Sequence, residues 1–129
     1  MFEVTRDNLD GLASKLGQLR KFLDVPSGQR RLAELESQMA SDSFWNNQEA
    51  ARKVIDEANA LRKKLGPQLE YERQVEDLKV LLELGEAEPP DGQAQVQREA
   101  DGEVAKIQRG LDRFELGVLL TALLTLLRR

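Results

Sequence analysis

The side chains of this sequence best suited to catalysis are carboxylates that occur in pairs. They stand at Asp56–Glu57, at Glu76–Asp77, and at Glu99 with Glu103 one helical turn later. Two neighbouring carboxylates can act as general acid and general base when burial drives their pKa values apart. These pairs lie in charge-rich stretches with no pattern typical of a pocket. We therefore interpret them as solvated helix faces and salt-bridge partners, and predict no catalytic residue.

Residue types on which much enzyme chemistry depends are absent. The 129-residue chain contains no cysteine and no histidine, which excludes disulfides, thiol nucleophiles, Cys or His metal ligands and imidazole catalysis. No GxGxxG, GxxxxGK[ST] or HExxH pattern occurs. The basic triplet Arg62–Lys63–Lys64 could contact RNA phosphate, but such triplets are usually solvated. We predict that the chain is not an enzyme and binds no cofactor and no metal.

Phe44 and Trp45 are the candidate partner-contact residues. Trp45 is the only tryptophan, and the pair lies in the polar stretch 41–47 rather than in a helical seam. One interpretation is an aromatic plug over the end of a bundle, because a buried Trp removes a large area from water. The other is a protein-contact anchor, since exposed aromatic side chains favour interfaces. Both interpretations are open at this point.

Composition indicates helices and a protein partner. Ala, Glu, Lys, Leu and Arg supply 67 of the 129 residues, which is typical of coiled coils and long helices. The net charge is −4, and residues 65–115 hold 13 acidic against 6 basic groups, a local charge of −7. Such an acidic stretch would repel phosphate backbones, so a protein is the better partner for it.

Apolar spacing predicts an all-α fold of four helices, over about 5–23, 29–40, 47–84 with a kink at 66–67, and 92–118 or beyond. Asn46 is the predicted N-cap of the third helix, with Glu49 completing a capping box. The proline- and glycine-rich run 85–92 predicts the tip of a hairpin between the two long helices. With the first helix laid along them, we expect an antiparallel, coiled-coil-like three-helix bundle with one short extra helix.

The carboxyl-terminal residues differ from the rest. We divide the chain into a helical domain, 1–118, and an apolar tail, 119–129. The near-apolar stretch 116–127 is too short to span a bilayer, and the amino terminus does not resemble a secretory signal, so we expect a cytoplasmic protein without membrane contact. An exposed tail of this kind should fold back or self-associate, and dimerisation through it is the hypothesis that follows.

Five stretches together carry a family signature: 20–26 (RKFLDVP), 31–36 (RLAELE), 39–40 (MA), 43–54 (SFWNNQEAARKV) and 77–86 (DLKVLLELGE). They resemble the amino-terminal domain of bacterial peptide chain release factor 2, a class I release factor. The likeness covers about residues 1–116. The Phe-Trp-Asn signature is its most specific part, whereas any coiled coil imitates the heptads. After Leu120 the chain departs from the family pattern, by truncation, by a shifted reading frame, or as a standalone variant with a new end.

The resemblance implies a non-catalytic helical module of a translation termination factor. In the family, the whole factor recognises stop codons on the ribosome and triggers peptidyl-tRNA hydrolysis, using a Gly-Gly-Gln motif and a Ser-Pro-Phe tripeptide in later domains. Neither motif occurs in this sequence. The implied partners are the stalk base of the large ribosomal subunit and the GTPase release factor. The alternative is an unrelated coiled-coil scaffold or oligomerisation protein.

Overall fold

A computed structural model describes residues 1–128 as four α-helices with short connections. They are α1 (Glu3–Leu23), α2 (Val25–Met39), α3 (Gln48–Glu86) and α4 (Pro90–Leu127), with one 3-10 turn, Phe44–Asn46, between α2 and α3. Within that range there is no β-strand, so the predicted all-α class is confirmed. The helices form two compact units: unit 1 contains Met1–Leu19 and the chain from Glu70 onward, and unit 2 contains Arg20–Leu69.

Unit 1 is the three-helix bundle that the apolar spacing predicts. Its core combines the seam of α1 with the second half of α3 and with α4. The buried core residues are Phe2, Leu9, Leu12, Leu16, Leu19, Val75, Leu78, Leu82, Ala100, Val104, Ile107 and Leu111. These positions recur every three or four residues, so each helix presents one apolar stripe to the other two. Burial of these stripes is the main source of stability for the unit.

Polar contacts at the edges of unit 1 show the relative directions of its helices. Thr5, itself 1% exposed, donates a hydrogen bond from Oγ1 to Asp101 Oδ1 over 2.7 Å. Nearer the carboxyl-terminal ends of the same two helices, Lys15 Nζ lies 3.1 Å from Glu115 Oε1. Both contacts join α1 to α4 with similar sequence separation, so these two helices run parallel. α3 runs antiparallel to α4, because only residues 87–89 separate them.

The connection between α1 and α2 is a single residue. Asp24 has φ 52° and ψ 56°, the left-handed region, which Asp adopts more readily than most residues because its short polar side chain tolerates it. The sequence predicts a break over 25–28 and a helix from residue 29, but α2 begins at Val25. Pro26 falls in the first helical turn, where its missing N–H is no loss. The expected break is therefore a helix start.

α3 continues without interruption through Gly66 and Pro67. Proline removes one backbone donor from the helix, yet the residues on either side are anchored in unit 2, where Leu65 is 1% exposed and Gln68 is fully buried. Leu65 also packs on α2, since a Cβ placed on Gly28 would lie 2.8 Å from its Cδ1. This close approach gives Gly28 a packing role, because a larger side chain at this position would displace Leu65.

At the hairpin, both long helices extend past their predicted ends. α3 reaches Glu86 and α4 begins at Pro90, where proline again occupies the first turn, so the hairpin tip is shorter than the predicted run 85–92. α4 then continues to Leu127, across the predicted boundary at residue 118. Among residues 1–128, no helix combines the length and the apolar character needed to cross a membrane.

Two glycines of α4 in unit 1 provide a matched test of this packing. A Cβ on Gly102 meets no atom within 4 Å, whereas a Cβ on Gly110 would lie 2.4 Å from Tyr71 Oη and 3.2 Å from Cζ. Alanine is preferred to glycine inside a helix by about 1 kcal/mol. We expect Gly102→Ala to raise the free energy of unfolding by about that amount, and Gly110→Ala to gain less or to destabilise, because Tyr71 must move from its contact with Phe114.

Urea unfolding of the two variants, followed by circular dichroism, measures the difference. Tyr71→Phe removes the Oη atom that the new Cβ would meet, so Gly110→Ala should cost less in that background than in the original chain. Equal stabilisation by both alanine substitutions would show that Tyr71 does not pack on Gly110 as described.

Candidate partner-contact site

The aromatic turn, residues Phe44–Asn46, presents the predicted contact residues on unit 2. The ring centroids of Phe44 and Trp45 lie 4.8 Å apart with planes at 83°, an edge-to-face arrangement. Such pairs are favourable beyond their buried area. Trp45 is 64% exposed, while Phe44 is half-buried. The interpretation of the pair as a buried plug is therefore wrong for Trp45, because most of its side chain faces solvent.

The aromatic turn is positioned by the start of α3. Asn47 Oδ1 accepts a hydrogen bond from the Ala50 backbone N–H at 3.1 Å, and the Asn47 carbonyl accepts from the Ala51 N–H at 2.9 Å. Asn47 is thus the N-cap, one residue later than the predicted Asn46. With this register the third helical position is Ala50 rather than Glu49, so the predicted capping box does not form. The extended backbone at Asn47, φ −123° and ψ 102°, ends the 3-10 turn.

A shallow open groove of about 280 Å³ lies beside the aromatic turn, between the end of α2 and the start of α3. Apolar and polar side chains share its lining, which consists of Phe44, Ala50, Ala51 and Val54 with Gln38, Ser41, Ser43 and Asn47. Its small residues leave room next to the Phe44 ring. The groove is too open to exclude water from a reaction, but an apolar side chain of a partner fits such a surface.

An ion-pair cluster on the surface of unit 2 links α2 to α3. Arg31 Nε and Nη2 donate to the two carboxylate oxygens of Glu57 at 2.5 and 2.9 Å, and Arg31 Nη1 donates to Glu34 at 3.1 Å. These hydrogen bonds lower the pKa of the Glu57 carboxyl below its ordinary value and raise the pKa of Arg31. The pair is charged at neutral pH, and any stabilisation from it is lost only as the pH falls through the lowered pKa of Glu57.

The carboxylate pairs lie on solvated faces. All six carboxylates of these pairs are exposed: Asp56, Glu57, Glu76, Asp77, Glu99 and Glu103. Four of them form ion pairs, namely Glu57 with Arg31, Glu76 with Lys79, Asp77 with Arg73, and Glu103 with Lys106.

The basic triplet is also on the surface. Arg62 lies 3.5 Å from Glu36, and Lys63 and Lys64 are exposed. Across residues 1–128, no three acidic side chains are grouped closely enough to hold a metal ion.

The structure thus brings Phe44 and Trp45 together on an exposed turn, whereas the carboxylate pairs do not converge. Sequence reasoning did not identify the groove beside the turn, in particular Ala51 and Val54. The only sequence signal for it is weak: two consecutive alanines, Ala50 and Ala51, occur in the first turn of α3, and their small side chains line the groove beside Phe44. The contribution of Gln38, one helix earlier, required the three-dimensional arrangement of α2 and α3.

Comparison with known proteins gives a consistent family relationship. Residues 28–124 match the PCRF domain family, which is three quarters of the chain and includes the aromatic turn. Peptide chain release factor 2 of Exiguobacterium sp. is 37% identical over 115 residues, which cover 89% of this chain and 31% of that protein. The proteins of the same name from Listeria innocua and Nocardia farcinica are 35% and 33% identical over 90% and 92% of this chain.

The chain spans about a third of the length of these curated relatives. The matches run through both units and are therefore broader than the heptads that any coiled coil shares. The chain belongs to the PCRF domain family, and its resemblance to the amino-terminal domain of peptide chain release factor 2 is confirmed.

Proposed function

We propose that the chain is a non-catalytic amino-terminal module of a translation termination factor of the release factor 2 type. The observation that carries this proposal is the 37% identity over 89% of the chain to a protein of which the match covers only 31%. One helical part of a longer factor is the simplest account of those proportions. The exposed, paired carboxylates support a module that acts by contact rather than by chemistry.

The aromatic turn is the proposed contact surface. Trp45 contacts Phe44 edge-to-face just before the capped start of α3. A side chain that already rests on a neighbour has less freedom to lose on association. Exposed tryptophans rank among the residues that contribute most to binding when a partner covers them. The groove beside Phe44 offers space for an apolar side chain of the partner.

Local charge at the aromatic turn offers little to RNA. Residues 41–51 hold two acidic residues, Asp42 and Glu49, and no basic one, while Glu34 and Glu36 of α2 are paired with Arg31 and Arg62. The turn itself therefore has no basic side chain for a phosphate backbone, and a protein is the better partner for its aromatic rings. Protein at the stalk base of the large ribosomal subunit, or the GTPase release factor, is consistent with this requirement. Both partners are proposed on the family relationship.

A coiled-coil scaffold unrelated to release factors is disfavoured. Its likeness to the family would rest on leucine and charge repeats alone, whereas the matched range includes the non-repetitive aromatic turn and its cap. A scaffold role inside the termination machinery is compatible with the proposal, because contact without catalysis is common to both.

Binding of this chain to ribosomes paused at a stop codon tests the contact. We expect the chain to co-sediment with them, and Trp45→Ala to weaken binding by about 10-fold or more, as for a central interface aromatic. Phe22→Ala is the matched control, because Phe22 is an exposed aromatic of the same unit, 57% exposed on α1. Since Trp45 is the only tryptophan, 5-fluorotryptophan labelling gives one ¹⁹F resonance that should shift and broaden on binding.

Two outcomes would count against this contact in different ways. A chain that does not sediment with ribosomes would contradict the proposed partner. Ribosome binding with equal affinity for the original chain and Trp45→Ala, and an unchanged ¹⁹F resonance, would leave the partner in place but exclude the aromatic turn as the contact.

The non-catalytic assignment makes a separate prediction. The chain contains no Gly-Gly-Gln sequence, no histidine and no cysteine, and its carboxylates are solvated. We expect no stop-codon-dependent release of peptide from peptidyl-tRNA above the rate without added factor, at any chain concentration that saturates ribosome binding. A filter-based release assay with a complete release factor as positive control measures this. Stop-codon-dependent release by the chain alone would overturn the assignment.

A further inference from the structure

The outward side of α3 in unit 2 carries cations without a carboxylate partner. Four exposed side chains make up this surface, here the basic face: Arg52, Lys53, Lys63 and Lys64. Within residues 1–128 none of the four forms an ion pair, whereas Arg62 beside them is paired with Glu36. The positive charge of the basic face is therefore available to a partner.

Helical periodicity places the basic face away from the core of unit 2. Ala58 is fully buried and marks the inward side of α3. At about 100° per residue, each of the four cations lies about 120–140° around the helix from Ala58. Arg52 and Lys63 form one row, about 17 Å long at 1.5 Å per residue. Lys53 and Lys64 form a second row of the same length, about 100° around the helix from the first.

Local charge makes this surface basic in a chain that is acidic overall. Residues 52–64 hold five basic and two acidic residues, a local charge of +3, although the net charge of the chain is −4. Of the nearby carboxylates, Glu57 is paired with Arg31, and Asp56 and Glu49 are exposed. Unit 2 has nine basic against seven acidic residues, whereas unit 1 has ten against sixteen. An anionic partner is thus attracted to unit 2 and repelled by unit 1.

We propose that the basic face binds the phosphate backbone of double-helical RNA. Three of its four cations are lysines, which contact phosphates as point charges and read no base sequence. A double helix is favoured over a single strand, because residues 52–64 contain no aromatic side chain on which an unpaired base would stack. Two rows of cations, rather than one, allow contacts to phosphates of both strands. The choice of RNA over DNA rests on the proposed function, since a termination factor acts on the ribosome.

The basic face differs in chemistry from the aromatic turn of the same unit. Residues 41–51 contain no basic side chain, and the basic face begins at Arg52. Unit 2 therefore has one surface that suits protein and a second that suits RNA. A partner assembled from both kinds of molecule would engage the two surfaces through different interactions, one apolar and one dependent on salt concentration.

Binding of the chain to a short, protein-free RNA hairpin tests the proposal without ribosomes. Fluorescence anisotropy measures the association constant as the salt concentration rises from about 50 to 200 mM. Its logarithm should fall linearly with the logarithm of the salt concentration, with a slope of about −3 to −4 for four phosphate contacts. The double variant Lys63→Gln, Lys64→Gln should weaken binding by about 10-fold or more at the lowest salt concentration, and should make the slope about 2 less steep.

The matched control is the double variant Arg109→Gln, Arg113→Gln. It removes the same two charges from the chain, at exposed positions of α4 in the acidic unit 1. It should change the affinity for the hairpin less than threefold. All four substituted positions are exposed, so circular dichroism should show unchanged helix content in both double variants.

Four results would overturn the proposal. One is a chain that does not bind the hairpin at about 50 mM salt. An equal loss of affinity in both double variants would show that net charge, and not the basic face, controls binding. Tighter binding to vesicles containing phosphatidylserine than to the hairpin would make a membrane the occupant, and tighter binding to polyglutamate would make an acidic protein segment the occupant.

The outcome is separable from that of the ribosome experiment. Trp45→Ala should leave hairpin binding unchanged, because it removes no charge. Hairpin binding through the two lysines by a chain that does not sediment with ribosomes would support the basic face and contradict the proposed partner. If the chain sediments with ribosomes and the lysine variant binds both ribosomes and hairpin normally, the basic face is excluded and the proposed function remains.

Discussion

The leucines of α1 buried against α3 and α4 are the contact on which unit 1 depends. Leu9, Leu12, Leu16 and Leu19 are each at most 5% exposed, although α1 also contains Gly11 and Gly17. Neither glycine is required by packing, because an added Cβ at either position would meet no atom within 4 Å. An isolated helix with two interior glycines is marginal in water. α1 is therefore helical mainly because the other two helices cover its apolar stripe.

This dependence on one apolar contact explains what the sequence could predict. The helices and their apolar stripes follow from apolar spacing, because burial selects that pattern wherever a stripe must face a neighbour. The all-α class follows from composition for the same reason. The hairpin follows from the proline- and glycine-rich run between the two long helices. Local backbone features were less predictable. The loop expected around Pro26 is replaced by a single left-handed residue, Asp24. The sequence does not reveal this, because a proline that begins a helix and a proline that interrupts one can have the same neighbours.

The candidate site shows the limit of the same reasoning. Phe44 and Trp45 were identified from their position outside the seams, but the choice between a buried plug and an exposed anchor depended on where the cap lies. A shift of one residue, from Asn46 to Asn47, changes which side chains face the start of α3. The hydrogen-bonding choices of two adjacent asparagines are nearly equal in energy, so sequence alone does not decide between them. In the groove lining, Ala50, Ala51 and Val54 share one face of α3, but no sequence period relates them to Gln38, Ser41 and Ser43, which come from the end of α2 and the connection after it.

The sequence separation of the α1 contacts has a consequence for how the unit assembles. α3 and α4 are joined by residues 87–89, so their pairing is local, whereas the Thr5–Asp101 hydrogen bond links residues 96 apart in sequence. Closing so long a loop costs entropy before any contact repays it. We expect the hairpin to form first and α1 to dock on it afterwards. During synthesis, α1 leaves the exit tunnel long before its binding surface exists, so its leucines stay uncovered until α4 has emerged.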